Sequence, residues 1–406
     1  MADFKINGTT FVSETGGTLS IDASQIKVNG TAVIGAATGF MFRNLLYNGA
    51  MQINQRGNVS NSSGNAYGCD RWQIVRAGGV GNAVYDLKQS TDVPSGQPFK
   101  NSFHLDITTA ETSIQNGGGY QFRQQLEGYD VQRLMKGTSS AKSLTLSFWV
   151  KSPKTGTHIV ELYDVDNARQ VSQSYTINSA NTWQQVTVNF PADTTGSFDN
   201  DNNRSLLIQW WLAAGNNFTS GTLNTSWANN TDANRLVGQV NILDATNDWY
   251  ITGIQLEEGT VATPFEHRPI GIELSLCQRY YQKSYDLSEK PGGATQYPTQ
   301  GTHLGTYQGS EYVYSIFNST YNQRLSTNIP IKTRMRSASG QTLKIYNPYN
   351  GDLNKVMQAG GGASYAVTII NYSEISPSFY ATVTGNSAGN TVGDIYRYHW
   401  VVENEL

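Results

Sequence analysis

The stretch Leu144-Thr-Leu-Ser-Phe-Trp-Val150 decides the fold class. Apolar and polar residues alternate along it, as in a strand with one buried face. The same pattern recurs at 158–163, 183–190 (WQQVTVNF), 206–212, 237–242 and 249–256 (WYITGIQL). Clusters of Gly, Asn, Asp and Pro separate these runs, which fits a sandwich or jelly roll rather than alternating strands and helices. Helical periodicity is scarce: the pattern predicts a helix over 124–135 and another over 271–283 (GIELSLCQRYYQK). The chain reads as all-β.

Composition agrees. The 406 residues are 38% hydrophobic and only 15% charged, against about 25% charged in an average soluble domain. Gly (40) and Tyr (23) are abundant; Gly serves turns and Tyr favours strands. The net charge of −3 lacks the basic footprint of a nucleic-acid binder, so no nucleic-acid partner is expected. No apolar run approaches a membrane span, and no membrane insertion is expected. The start, MADFKING, shows no secretory signal. Cys69 and Cys277 belong to no metal or disulfide pattern.

The chain divides by composition. In 1–40, Ile6-Asn7-Gly8-Thr9 recurs as Val28-Asn29-Gly30-Thr31. Asn-Gly between strand formers predicts two hairpins, in a piece too small to bury its own core. Residues 41–270 hold the sandwich, and 271–285 read as a helical connector. Residues 286–406 form a second β region, with strands expected near 311–318, 329–335, 341–346, 364–371, 378–384 and 395–403. Fifteen of the 23 Tyr residues lie after 270, and seven of the eight Trp residues before it.

No catalytic constellation emerges, and no cofactor is expected. Glu257 and Glu258 are adjacent in a strand pattern and should point to opposite faces, whereas a glycosidase pair must share one cleft. The five His residues show no metal spacing and stand beside no nucleophile motif. Asp199-Asn-Asp-Asn-Asn203 offers oxygens to Ca²⁺ but lacks the Gly and closing Glu of an EF-hand loop. The aromatics are more suggestive, because sugar C–H faces stack on Trp and Tyr. Trp210 and Trp211 should face opposite ways, one into the core and one under a cover. Trp227 lies in the Asn-rich run LNTSWANN. Tyr297, Tyr307 and Tyr312 surround a polar loop, and Tyr346 and Tyr349 share the turn YNPYNGD. Tyr-, Ser-, Gly- and Asn-rich loops on a rigid scaffold have the composition of recognition surfaces. Trp227, Tyr297, Tyr307, Tyr312, Tyr346 and Tyr349 are therefore the candidate glycan-binding residues.

NLLYNGAMQINQRG (44–57) with Asp70-Arg-Trp72, FWVKS (148–152) and the run from WYITGIQLEEGTVATPFEHRP into GIELSLCQRYYQK (249–283) resemble a jelly-roll module of bacteriophage tail-fibre and receptor-binding proteins. That jelly roll is similar to carbohydrate-binding modules. The resemblance implies a homotrimer in the virion tail, assembled in the host cytoplasm. Residues 1–40 would attach it to phage tail or baseplate proteins. The C-terminal β tip would bind host cell-surface polysaccharide or lipopolysaccharide. It implies adhesion without enzymatic activity. The alternatives are a purely structural spacer, head fibre or adaptor, or a polysaccharide-degrading tailspike; the short-period repeat of a β-helix tailspike is not visible in 41–406.

Overall fold

A computed structural model describes residues 42–78, 81–293, 311–314, 323–358, 364–371, 373–383 and 395–406, together with five strands near the start of the chain. Two compact units result, 1–43 and 44–406. The first contains β1 (Phe4–Ile6), β2 (Thr9–Thr15), β3 (Thr18–Ile21), β4 (Lys27–Val28) and β5 (Thr31–Ala32). β1 pairs with β2 across Asn7-Gly8 (Ile6 opposite Thr9), and β4 with β5 across Asn29-Gly30 (Val28 opposite Thr31). These are the strand pairings that the repeated Asn-Gly predicts.

The second unit opens with a β-sandwich. Its six-stranded sheet runs in the order β15 (Gln184–Phe190), β12 (Leu144–Lys151), β18 (Asp248–Glu258), β10 (Ser102–Thr109), β9 (Val84–Ser90), β6 (Val59–Ser62). The facing sheet runs β17 (Ala228–Asn229), β14 (Arg169–Ile177), β13 (Gly156–Asp164), β16 (Arg204–Ala214), β11 (Gly119–Glu127), β8 (Gln73–Ala77), β7 (Ala66–Tyr67). All of the pairings are antiparallel. Alternation does the sorting. Phe103, Phe148 and Trp249 come from one sheet and Phe122 and Trp210 from the other. Their rings interleave: Phe122 lies 5.3 Å from Trp249 and 5.7 Å from Trp210, and Phe148 lies 5.3 Å from Trp210. At Gly253 (φ +62°) the register of β18 against β12 shifts, and a Cβ there would stand 2.6 Å from the ring of Phe99. The glycine lets one strand serve two stretches of core.

The 44–72 run is a staple for this sandwich. Asn48, at φ +54°, accepts a bond from Ile53 N–H and donates to the carbonyls of Ile53 and Asp70. The indole of Trp72 donates to the Asn48 carbonyl.

Three expected elements are corrected. No helix spans 124–135: β11 continues to Glu127, because Gln124 and Leu126 lie in its ladder with β16. One turn, α1 (Gly128–Val131), and a short 3₁₀ turn follow. Residues 237–242 form no strand; Val240 N–H bonds the Thr157 carbonyl and Ile242 N–H that of Leu212, and Ile242 is buried in the sandwich core. Residues 329–335 form no strand either. The strand, β21 (Gln323–Asn328), stops before Pro330, which cannot donate to a ladder. A further short turn, α2 (Asn216–Thr219), lies in the loop after β16.

The predicted helix at 271–283 divides. α3 (Ile270–Gln278) is followed by β19 (Tyr281–Lys283), which pairs with β26 (Ile395–Glu403). β26 also pairs with β20 (Glu311–Tyr314), β22 (Thr342–Tyr346) and β23 (Lys355–Gln358), and the sheet continues through β24 (Ser364–Asn371) and β25 (Ser378–Val383) to β21. This region does not hang free. Tyr280 sits in the sandwich core, and Arg279 binds Glu127 at 2.7 and 2.6 Å. Glu405 pairs with Arg56 at 2.8 Å and with Arg71. Arg336 donates to the Asn202 carbonyl at 2.8 Å, and Asn202 donates back. The amide-rich loop at 199–203 is thus a contact with the C-terminal region. No helix among the described residues is long and apolar enough to cross a membrane.

Candidate functional site

The open side of the six-stranded sheet carries a cluster that register builds. Outward positions of β9, β10, β18 and β12 align Lys88, His104, Tyr250 and Lys151 in one row across four strands. Two residues along, Asp86, Asp106 and Asp248 align in a second row. The imidazole of His104 stacks on Tyr250 at 4.2 Å, nearly parallel. The ammonium of Lys151 lies 4.2 Å from the other ring partner, the Tyr250 centroid. Trp183, just before β15, tilts 57° to Tyr250 at 6.2 Å, and its indole N–H donates to Asp92 at 2.9 Å. Trp149 shares the face, opposite Thr252 and Gln185.

Three carboxylates opposite one another repel. Lys88 offsets this by bonding Asp106 at 2.7 Å and approaching Asp86 at 3.4 Å. His104 Nε2 lies 2.7 Å from Asp248. The Asn61 N–H and Lys88 hold the Asp86 carboxyl below its usual range. Burial opposes ionisation of Asp92, but bonds from Lys151 and Trp183 outweigh it and its pKa falls. Burial and the neighbouring Asp248, Asp92 and Asp106 push the Tyr250 hydroxyl up to about 12. The face is therefore a negative, partly aromatic surface. His104, Asp106 and Asp248 also form the one His/acid group, among the described residues, whose ligand atoms all lie within 4.8 Å of one another.

The residues singled out by sequence lie elsewhere. Trp227 is half-buried, donates to the Pro191 carbonyl and lies 5.2 Å from the ammonium of Lys136. It lines a shallow depression with Lys136, Lys142, Pro191 and Asp193. Lys136 is committed there to Asp164 and Asp193. Tyr346 is half-buried with its ring 6.1 Å from Tyr285, and Tyr349 in the same turn is 49% exposed. Tyr297 and Tyr307 lie outside the described residues; Tyr312 lies in β20, where only the backbone is described.

Glu257 and Glu258 do face opposite ways. Glu257 is buried, accepting bonds from Gln255 and Thr263, and Glu258 pairs with Arg133 at 3.0 Å. Trp210 and Trp211 also separate as expected, Trp210 into the core and Trp211 under the loop carrying Phe218 and Leu236. The same argument applied to Trp249-Tyr250 places Tyr250 on the opposite face, and it was the signal for the open cluster.

No family profile matches the chain, and no curated protein matches it. Solved structures do. The enzymatically active domain of tailspike protein 4 of bacteriophage CBA120 is 16% identical, with a TM-score of 0.30; the match covers 53% of this chain and 22% of that one. A CBM4 module is 14% identical, with a TM-score of 0.27, covering 52% of this chain and 98% of that one. The family 11 carbohydrate-binding module of Lic26A-Cel5E from Clostridium thermocellum is 13% identical, with a TM-score of 0.25, covering 50% and 99%. This chain thus spans about a fifth of the tailspike domain's length.

Proposed function

We propose that this protein is a non-catalytic adhesive subunit of a phage tail fibre that binds a host-surface glycan on the open face of its six-stranded sheet. The observation that carries the glycan reading is the Trp183–Tyr250–His104 cluster set among Asp92, Asp106 and Asp248. Aromatic rings meet sugar C–H faces, and carboxylates accept bonds from sugar hydroxyls. Rings held by strands and by one another lose little freedom on binding. The tail-fibre part rests on the sequence resemblance and on residues 1–43 forming a unit of their own. A homotrimer would repeat the face around a three-fold axis and turn weak contacts into avidity.

The test is binding of the full chain to a glycan array and to candidate host cells, beside Trp183→Ala and Tyr349→Ala variants matched for thermal melting. The reading expects saturable binding that Trp183→Ala reduces at least tenfold and Tyr349→Ala leaves intact. Loss with Tyr349→Ala alone would move recognition to the C-terminal turn. Binding of no glycan by the folded protein would favour a structural spacer.

A further inference from the structure

We propose that the open sheet face selects amine-bearing saccharides over acidic ones, an inference that rests on the glycan reading above. Around Trp183 and Tyr250 stand Asp86, Asp92, Asp106 and Asp248 against Lys88 and Lys151, four acids to two bases, or −2 with histidine counted neutral. A uronate or phosphate entering this face meets like charge, which costs affinity.

The protein itself fills one position for a cation on this face. The ammonium of Lys88 lies between Asp86 and Asp106, 2.7 Å from one carboxylate and 3.4 Å from the other. The row continues to Asp248, directly opposite Asp106 on β18. Among the described residues Asp248 pairs with His104 and with no lysine or arginine, and it is 54% exposed. The Asp106–Asp248 pair repeats that geometry with the His104 imidazole, 2.7 Å from Asp248, where the first pair has an ammonium. A hexosamine with a free amine would bring its ammonium to the exposed Asp248 carboxylate, beside His104, while its ring lies against the Trp183 and Tyr250 edge. Such a contact is a charge-assisted hydrogen bond, stronger than one from a hydroxyl.

Three hexasaccharides on one β-1,4 backbone test this: chitosan hexamer, cellohexaose and the fully oxidised glucuronate hexamer. Titration calorimetry on the full chain at low and at physiological salt should rank them chitosan, cellohexaose, glucuronate, with the first at least about tenfold tighter than the second. Added salt should narrow that gap. Asp248→Asn should remove the chitosan preference, weakening chitosan binding at least about tenfold more than it weakens cellohexaose binding. Equal or tighter binding of the glucuronate hexamer overturns the proposal while sparing the glycan reading, as does a chitosan preference that survives Asp248→Asn. Binding of none of the three by folded protein overturns the proposal; the array then decides separately whether the glycan reading stands.

Discussion

Strand β16 carries Trp210-Trp211 and strand β18 carries Trp249-Tyr250, and the two pairs meet different fates. In both, the first ring enters the space between the sheets, and alternation sends the second outward. On the seven-stranded sheet the outward ring, Trp211, is covered. The loop after β16 lays Phe218 and Leu236 over it, and Glu161 beneath accepts bonds from Trp211, Gln209 and Arg235. On the six-stranded sheet no loop among the described residues closes over Tyr250, which remains half-exposed beside Trp183. One sheet spends its outward aromatic on stability, and the other leaves it in solvent. An outward aromatic with a cover is explained by packing; one left uncovered asks for a ligand.

The comparison breaks most easily at Glu161. Its side chain is fully buried and Arg235 is nearly so. Glu161→Ala would leave the guanidinium, an indole N–H and an amide without their acceptor, at a cost of about 3–5 kcal/mol. Urea unfolding measures it, and a loss under about 1 kcal/mol would mean that the cover is not held by this pair. The two outward tryptophans come next. Trp211→Ala should cost about 3–5 kcal/mol, as large buried rings do. Trp183→Ala, at the open face, should cost about 1 kcal/mol or less while removing binding. Equal destabilisation by both would make the open face a structural surface after all.

Histidines extend the contrast to pH. Burial lowers the pKa of His158 below the ordinary imidazole range and that of His399 to about 4. His158 stacks on Tyr175, and His399 lies 3.8 Å from Tyr285 with Ser284 at its Nδ1. Between about pH 6.5 and 4 the unfolded chain takes up a proton at His399 that the folded chain refuses, so stability falls as pH falls through that window and is unaffected above it. For His399 alone the loss approaches about 3 kcal/mol at its lower end. Melting temperature against pH should show this slope, and His399→Gln should flatten it.

Much of the sandwich was legible because alternation has one meaning on a strand. The runs at 144–150, 183–190 and 249–256 all became strands, and 395–403 matched β26. Residues 237–242 also alternate, yet they form no strand; period-two patterning reports two environments, whatever the hydrogen bonding. The run at 124–135 failed because Gln124 satisfies both ends of its amide on Tyr47 within a buried strand, where periodicity suggested a helix. The site was less legible. Tyr250 could be sent outward from its neighbour alone, but nothing local says that Asp86, Asp106 and Asp248 align. That needs the register of three strands, the last more than 140 residues away in sequence. The C-terminal Tyr residues drew attention by number, whereas Tyr280 and Tyr285 owe their place to packing.

The finest test of the comparison lies in the row itself. Lys88 is about one-third exposed and bonds Asp106 while approaching Asp86. If the open face were built for stability, its lysine would be dispensable only at large cost, as Glu161 is on the covered face. Solvent screens these charges, so Lys88→Met should cost only about 0.5–1 kcal/mol, and less in high salt. The same substitution leaves Asp86 and Asp106 to repel each other across the β9–β10 pair. That opens a gap for an external ammonium, so Lys88→Met should bind chitosan hexamer more tightly than the natural chain does. A large salt-insensitive destabilisation with unchanged binding would instead place Lys88 in the scaffold, and the contrast between the two faces would fail at its most charged point.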